Sequence, residues 1–576
     1  MASFATRLRG GARQRLGILR ELRAKKERTP LGAFLVGAYQ EGSLTSRELR
    51  EGARAAASSA GDLGGLVSRS MDNTRTRKGK TKPDTRSDAR VVHKVLRKRS
   101  CLPTPYITQI PLWDAERNCQ VMRDLAVFPP HESLDALVPP GKEGEWTSFD
   151  HSQQGFREEL RSWGDRLGLS RDAMSGHWMC VSIWGDSAPY TKRDSLFLLT
   201  LRVLNGQHRR RIWGAALSKR QLCDCGCHGR HTFDALFEIF AWSMKALLVG
   251  KWPNADHMGR PFQVGDWRRD KANTLLRFRA AMIAKCGDWS WHKQVLGMRG
   301  WGQHHNCWLC QSRLGDRDFT TSAAWRATPA TMSAFVSSSY TGGQFLSALF
   351  SAPGFTLNYI KPDFMHTCCL GILQYCLGNV LWEVFVCVGG TFTKWKDACA
   401  TIMNMIGAVA THLGVEKPFT TLVVTMLRPS TSKKPRMRLK AAEGRNLLPI
   451  VTRMLQTFSL AANEREQLRL HCCQALCRCY LELKTWGEGS SRRLEVAARQ
   501  HLILYTQLGN LGGPGSLFWH LYPKHHLFVH VTQSETNPAL LWNYSDEDEI
   551  GRAAKQAQRC NPKWLHTALT NRYRLL

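Results

Sequence analysis

Three short apolar runs separated by polar turns mark the centre of the chain. Trp178-Met179-Cys180-Val181-Ser182-Ile183-Trp184 is rich in aromatic and β-branched residues and breaks at Gly185-Asp186, with Pro189 close behind. That pattern predicts a buried strand delivering Asp186 at its C-terminal end. Ser195–Leu204 and Arg211–Leu217 follow, the second after an Asn205-Gly206 turn signal. The period then changes: Phe233, Leu236, Phe237, Phe240 and Met244 share one side of a predicted helix over Thr232–Leu248. A fourth strand is predicted at 278–285, ending at Cys286-Gly287-Asp288. The apolar run, glycine and aspartate of the first strand thus recur. If the two strands are parallel neighbours joined through the helix, Asp186 and Asp288 leave the same sheet edge, where ligands of α/β folds bind.

Before these strands, Phe156, Leu160, Trp163 and Leu167 recur at helical spacing within 152–167, amid the proline breaks of 101–175. Beyond 312 the pattern is largely helical. Helices are expected at 439–458, with Glu443 in the first turn, and in the Cys-rich stretch 471–483. Leu370–Gly390 is long enough to cross a bilayer, but Gln374, Asn379 and Glu383 could share one of its faces. A helix buried in a soluble core is the expectation. The divisions are a basic tail (1–100), a linker with a helical pre-core segment (101–175), the first part of the core (176–311), a helical insertion (312–438) and the completion of the core (439–576).

Charge narrows the partners. The 576 residues carry a net charge of +33, which attracts polyanions and resists self-association. Nucleic acid is the first expectation and an anionic membrane surface the second. Residues 1–100 hold 24 Lys/Arg against 9 Asp/Glu, leaving +15. Arg75, Arg77, Lys78, Lys80 and Lys82 form one basic run, and Arg97, Lys98 and Arg99 close another. Such tracts are disordered alone and suit phosphate contact or nuclear import; a short helix at 31–39 is expected within the tail. No secretory leader is evident, and Glu21 and Glu27 argue against an organellar transit peptide. The 19 cysteines are therefore expected as thiols or metal ligands rather than disulfides.

Four motifs carry candidate chemistry. Paired aspartates at strand ends suit Mg²⁺ or Mn²⁺ in phosphoryl displacement, although Gly-Asp is also an ordinary turn after a strand. Cys223, Cys225, Cys227, His228 and His231 are a candidate Zn²⁺ group, tighter than a zinc finger. Cys307-x-x-Cys310, preceded by His304-His305, is half of such a site. Asp363 and His366 lie three residues apart, on one helical face or at an acidic helix start.

In this order the motifs resemble cut-and-paste transposases of the DDE/D type, closest to the CACTA-like (En/Spm, Plavaka) and Kyakuja–Dileera–Zisupton groups. The resemblance runs over about 178–562. It rests on Gly185-Asp186-Ser187-Ala188-Pro189-Tyr190, Cys286-Gly287-Asp288-Trp289 with Cys307-x-x-Cys310, Asp363-x-x-His366 before Leu370-Gly371, Lys440-Ala441-Ala442-Glu443, and Pro523-Lys524-His525 with His530 and Ser545-Asp546-Glu547-Asp548. It implies an α/β fold: an RNase H-like mixed sheet with a helical insertion. It also implies Asp186, Asp288 and Glu443 as the metal-binding triad, with Asp363 and Glu547 competing for the third place, and Mg²⁺-dependent DNA cleavage and strand transfer in the nucleus. DNA is the implied partner, a homo-oligomer is left open, and neither a membrane nor a small-molecule substrate is expected. Two other readings stand beside it: a catalytically inactive nucleic-acid- or chromatin-binding protein on the same scaffold, and a zinc-stabilised protein-interaction module.

Overall fold

The computed structural model describes residue 49, the stretches 74–77 and 80–83, and residues 102–574 except 209, 299, 303–306, 314–315, 326–327, 340–345, 459, 461, 514 and 561–564. The segment at 31–39, Lys78, Arg97, Lys98, Arg99, His304 and His305 lie outside the described residues. Within the basic tail, β1 (Thr74–Arg77) and β2 (Lys80–Pro83) form an antiparallel ribbon, with Arg75 opposite Lys82 and Arg77 opposite Lys80.

The main sheet has six strands: β3 (Tyr106–Asp114), β4 (Cys119–Val127), β5 (Trp178–Pro189), β6 (Ser195–Val203), β7 (Ile212–Ser218) and β8 (Arg279–Cys286), in the order β3-β4-β7-β6-β5-β8. β5, β6 and β7 are the three expected runs, paired as an antiparallel meander. β8 is the expected fourth strand and lies parallel to β5, with Trp184 opposite Cys286. The segment expected as a linker contributes β3 and β4, whose hairpin joins the sheet where Val127 pairs with Ala215. Its period-2 pattern is masked by Pro111 inside β3 and by the exposed half of β4.

Helices cover both faces. α1 (Gln154–Arg166) is the expected pre-core helix. α2 (Arg230–Val249) makes the crossover from β7 to β8, bounded by Gly229 and Gly250 in the left-handed region. It occupies one face, where Phe240 packs so closely on Gly214 that a Cβ there would lie 2.4 Å from its ring. α3 (Trp289–Leu296) joins this face through Trp291, which packs on Phe197 and Phe233. The opposite face carries α10 (Tyr544–Ala557) and α11 (Leu565–Tyr573) from the end of the chain. There Tyr573 stacks on Trp213 at 4.6 Å.

A second apolar core lies among α4 (Leu373–Cys387), which continues a π-helical stretch at Met365–Ile372, and α5 (Lys396–His412), α6 (Ala441–Thr457), α7 (Glu464–Lys484), α8 (Ser490–Asn510) and α9 (Pro523–Thr532). Leu427 and Met437 pack in the same core as Leu447 and Leu448, so the division expected at 438/439 runs through one packed body. The α6 helix belongs to that body; α10 and α11 are the elements that return to the sheet. Met365–Cys387 is apolar and long enough to cross a membrane, with mean hydropathy 1.5, and 78% of its apolar window is buried inside the protein. Its polar positions have partners. Gln374 accepts from Arg436 and Asn379 from the Trp519 backbone, while Glu383 pairs with Arg465 and Arg469.

Candidate acid centre and metal sites

Register explains why Asp186 and Asp288 come together. Each lies two residues beyond the paired Trp184 and Cys286, on adjacent parallel strands. The glycine before each aspartate has a shared cause. A Cβ on Gly185 would lie 2.5 Å from the Trp291 ring, and one on Gly287 would lie 2.2 Å from it. Both glycines therefore make room for one indole. Gly287, at φ 146°, also adopts a backbone conformation closed to other residues. Asp288 then caps α3, accepting from the Trp291 backbone at 2.6 Å.

A third carboxylate arrives from α10. Its neighbours lock the helix to the sheet: Asp546 receives two hydrogen bonds from Arg211 at 2.9 and 3.1 Å, and Glu549 accepts from the Trp213 indole at 2.7 Å. Asp546 and Glu549, three apart, share the sheet-facing side of α10. Glu547 is left beside the aspartates, and its Oε1 is buried with no hydrogen-bond partner. Burial pushes its pKa up to about 7, and the charges of Asp186, Asp363 and Asp288 push the same way against His366. Asp186 rises to about 6, first through burial and then through Asp288, against a hydrogen bond from the Ser187 backbone.

Asp363 and His366 form the fourth part. Asp363 is buried and accepts from the backbone of Met365, His366 and Asn543. His366 Nδ1 donates to Asp363 Oδ2 at 2.6 Å, and its Nε2 lies 3.8 Å from Glu547 Oε1. Burial disfavours the imidazolium. The Asp363 hydrogen bond and the charges of Asp363, Asp288 and Glu547 outweigh that burial and raise the His366 pKa. On β8, buried Lys285 donates to His292 at 2.7 Å, and burial holds its pKa well below the ordinary lysine value.

Among the three candidates for the third acid, Glu547 is the one whose pKa the Asp186 charge raises, and it shares with Asp363 an effect on His366. Glu443 is engaged at the start of α6, where it accepts from the Lys440 backbone at 2.9 Å and faces the Lys440 ammonium at 3.9 Å. Asp363 is occupied with His366 and three backbone amides.

Two Cys/His groups could hold a metal such as zinc. Cys223, Cys225, Cys227 and His231 converge near the start of α2. Cys223 and Cys225 thiols lie 3.5 Å apart, and His231 Nδ1 lies 3.5 and 3.4 Å from them. His228, expected with them, is not in the group and sits in a left-handed turn at φ 54°. Cys307 and Cys310 meet His526 and His530, one turn apart on α9. Cys310 Sγ lies 3.2 Å from His526 Nε2 and 3.3 Å from His530 Nε2. The two nitrogens are 3.1 Å apart, and Cys307 Sγ lies 3.4 Å from His530. Tetrahedral zinc with ordinary bond lengths needs edges of about 3.3 Å between nitrogens and about 3.5 Å between nitrogen and sulfur. The Cys307 hydrogen bond and the two histidines hold the Cys310 thiol far below its ordinary pKa. The sequence set His304 and His305 beside Cys307 and Cys310; those two lie outside the described residues, and among the described residues His526 and His530 complete the group. The available signal was the four-residue spacing of His526 and His530 on a helix. A third buried trio, Cys376, Cys472 and His501, offers only three ligands, and His501 Nδ1 lies 3.0 Å from the Cys472 carbonyl. Comparison with protein-family models and with curated proteins returns no match to this chain.

Proposed function

We propose that this protein is a DNA-cleaving and strand-transferring phosphoryl transferase of the DDE/D transposase type on an RNase H-like core. Asp186, Asp288 and Glu547 would hold Mg²⁺ or Mn²⁺. The observation that carries the reading is that these three carboxylates, from β5, the β8–α3 junction and α10, lie near enough for charge to act between them: Asp288 raises the Asp186 pKa, and Asp186 and Asp288 raise that of Glu547. Oxygen-only donors suit a hard divalent cation, and the buried Glu547 Oε1, with no hydrogen bond and only His366 nearby at 3.8 Å, has room for a further ligand. The meander β5–β7 with β8 parallel beside β5 agrees with the fold this function requires.

When bound, the metal would polarise the scissile phosphate and lower the pKa of the attacking water or 3′-hydroxyl. The chain's own residues set the conditions. β5, which continues past the expected strand end to Pro189, holds Asp186 within the sheet, the start of α3 holds Asp288, and the Arg211–Asp546 pair fixes the helix that presents Glu547. His366, whose pKa the Asp363 carboxylate raises, favours positive charge beside the acids. The net charge of +33 supplies salt-sensitive affinity for the DNA backbone.

Nicking of a supercoiled plasmid by the full chain tests this. Mg²⁺- or Mn²⁺-dependent nicking is expected. It should fall at least about 100-fold in Asp186→Ala and Glu547→Gln, as for loss of a group that stabilises the transition state. Glu443→Ala should keep it. Undiminished nicking by Asp186→Ala overturns the assignment, and DNA binding without metal-dependent nicking assigns the scaffold a non-catalytic role.

A further inference from the structure

A cavity of about 360 Å³ adjoins the acid centre, and Asp288, Asp363 and His366 belong to its wall. The rest of the lining is unusually aromatic. Trp289, Trp301 and Trp308 contribute indoles, with Trp289 edge-on to Trp301 at 6.3 Å and to Trp308 at 5.3 Å. Tyr375 and Tyr522 line it as a stacked pair with centroids 4.0 Å apart.

Cations accompany these rings. Arg436 lies over Tyr375 at 5.5 Å and is itself part of the lining. Lys524 also lines the cavity and donates to the His366 carbonyl at 2.7 Å. Flat π surfaces beside positive charge suit a planar group attached to an anion. The volume falls near the lower end of the range for small-molecule sites, about 300–1,000 Å³, so a duplex cannot enter but a single base can. Aromatic side chains bind unstacked bases of any sequence, because every base has a π face.

We propose that this cavity receives one unstacked nucleotide of the DNA substrate beside the phosphate under attack, with its base against Trp301 and its backbone toward Arg436 and Lys524. The proposal rests on the phosphoryl-transfer reading, since the shared wall residues Asp288 and His366 place the nucleotide next to the cut. Extruding a base opposes duplex stacking, least where the base is already unpaired. A probe with an extrahelical base therefore isolates the pocket.

The test uses the full chain, fluorescence anisotropy, and Ca²⁺ in place of Mg²⁺ so that no cleavage intervenes. Three labelled duplexes are compared: fully paired, with one extrahelical thymidine, and with an abasic residue at the same position. The wild-type protein should prefer the thymidine bulge over the abasic bulge about tenfold, as expected from stacking one base on an aromatic ring. Trp301 is 53% exposed, so its replacement leaves packing largely intact. Trp301→Ala should bring the preference to about one, and Trp301→Phe should retain most of it. Equal affinity for both bulges, with metal-dependent nicking intact, overturns the pocket and leaves the nuclease reading standing. Retention of the preference in Trp301→Ala also overturns it. Failure to bind any of the duplexes, with no nicking, sinks both.

Discussion

Asp186→Asn should stabilise the protein when no divalent cation is added and remove its response to Mg²⁺. Burial and the neighbouring Asp288 raise the Asp186 pKa from an ordinary 3.8 to about 6. The sign follows from linkage. A carboxyl whose pKa is higher in the folded than in the unfolded chain favours folding while protonated, and that advantage disappears as pH climbs from the unfolded value through the folded one. Above about pH 7 the carboxylate is therefore a liability in the folded state. At about 1.4 kcal/mol per pKa unit, the rise corresponds to about 3 kcal/mol. Burial is the larger cause, and the asparagine amide is also buried at a cost, so about half of that, 1–2 kcal/mol, is the expected gain. Asparagine retains an oxygen for the Ser187 amide, which donates to Asp186 at 2.6 Å. For a chain of this length the unfolding entropy is on the order of 1 kcal/mol per kelvin, so the melting temperature should rise by about 1–2 °C at about pH 8. The difference should shrink toward about pH 5, where the wild-type carboxyl is largely protonated. Added Mg²⁺ should raise the wild-type melting temperature at about pH 8 by mass action and leave the variant nearly unchanged. Scanning fluorimetry across pH, with and without Mg²⁺, reads all of this. A lower melting temperature for Asp186→Asn at high pH, or a difference independent of pH, would refute the argument from buried repulsion.

Purified protein should contain zinc at the Cys307/Cys310/His526/His530 group, and His530→Ala or Cys310→Ser should each lower the zinc content by about one equivalent in elemental analysis, with a loss of several kcal/mol of stability. Because α9 leads into α10, those variants should also blunt the Mg²⁺-induced rise in melting temperature; full zinc content in both variants would exclude the site. Gly185→Ala should destabilise by about 1–3 kcal/mol through overpacking against Trp291, a cost that Trp291→Leu should largely remove in a double-mutant cycle of denaturant unfolding. Additive losses in that cycle would mean that the indole is not what requires the glycine.

Much of the sheet was legible in the chain. The runs at 178–184, 195–204, 211–217 and 278–285 became β5, β6, β7 and β8, and the helix between β7 and β8 made the crossover, because each segment states its own period. The recurrence of Gly-Asp after two of those runs signalled a shared sheet edge. The reason for the glycines, one indole wedged against both, needed coordinates. The β3–β4 hairpin was missed because a strand proline and an exposed face erase the alternation on which such a reading depends.

The third acid shows where local information stops. Glu443 and Glu547 both sit in the first turn of a helix, and nothing in either neighbourhood states which helix lies on the sheet. That depends on Asp546 and Glu549 pairing with Arg211 and Trp213, more than 300 residues away in sequence. The same holds for His526 and His530, which meet Cys310 from 216 and 220 residues away. Periodicity and turn chemistry act over one or two turns of chain, so the sequence by itself determined four of the six strands of the main sheet, most helices and the paired aspartates. The placing of Glu547 near the aspartates, and of His526 and His530 against the thiols, came only from the packing of distant segments, because burial and charge pairing act through space rather than along the chain.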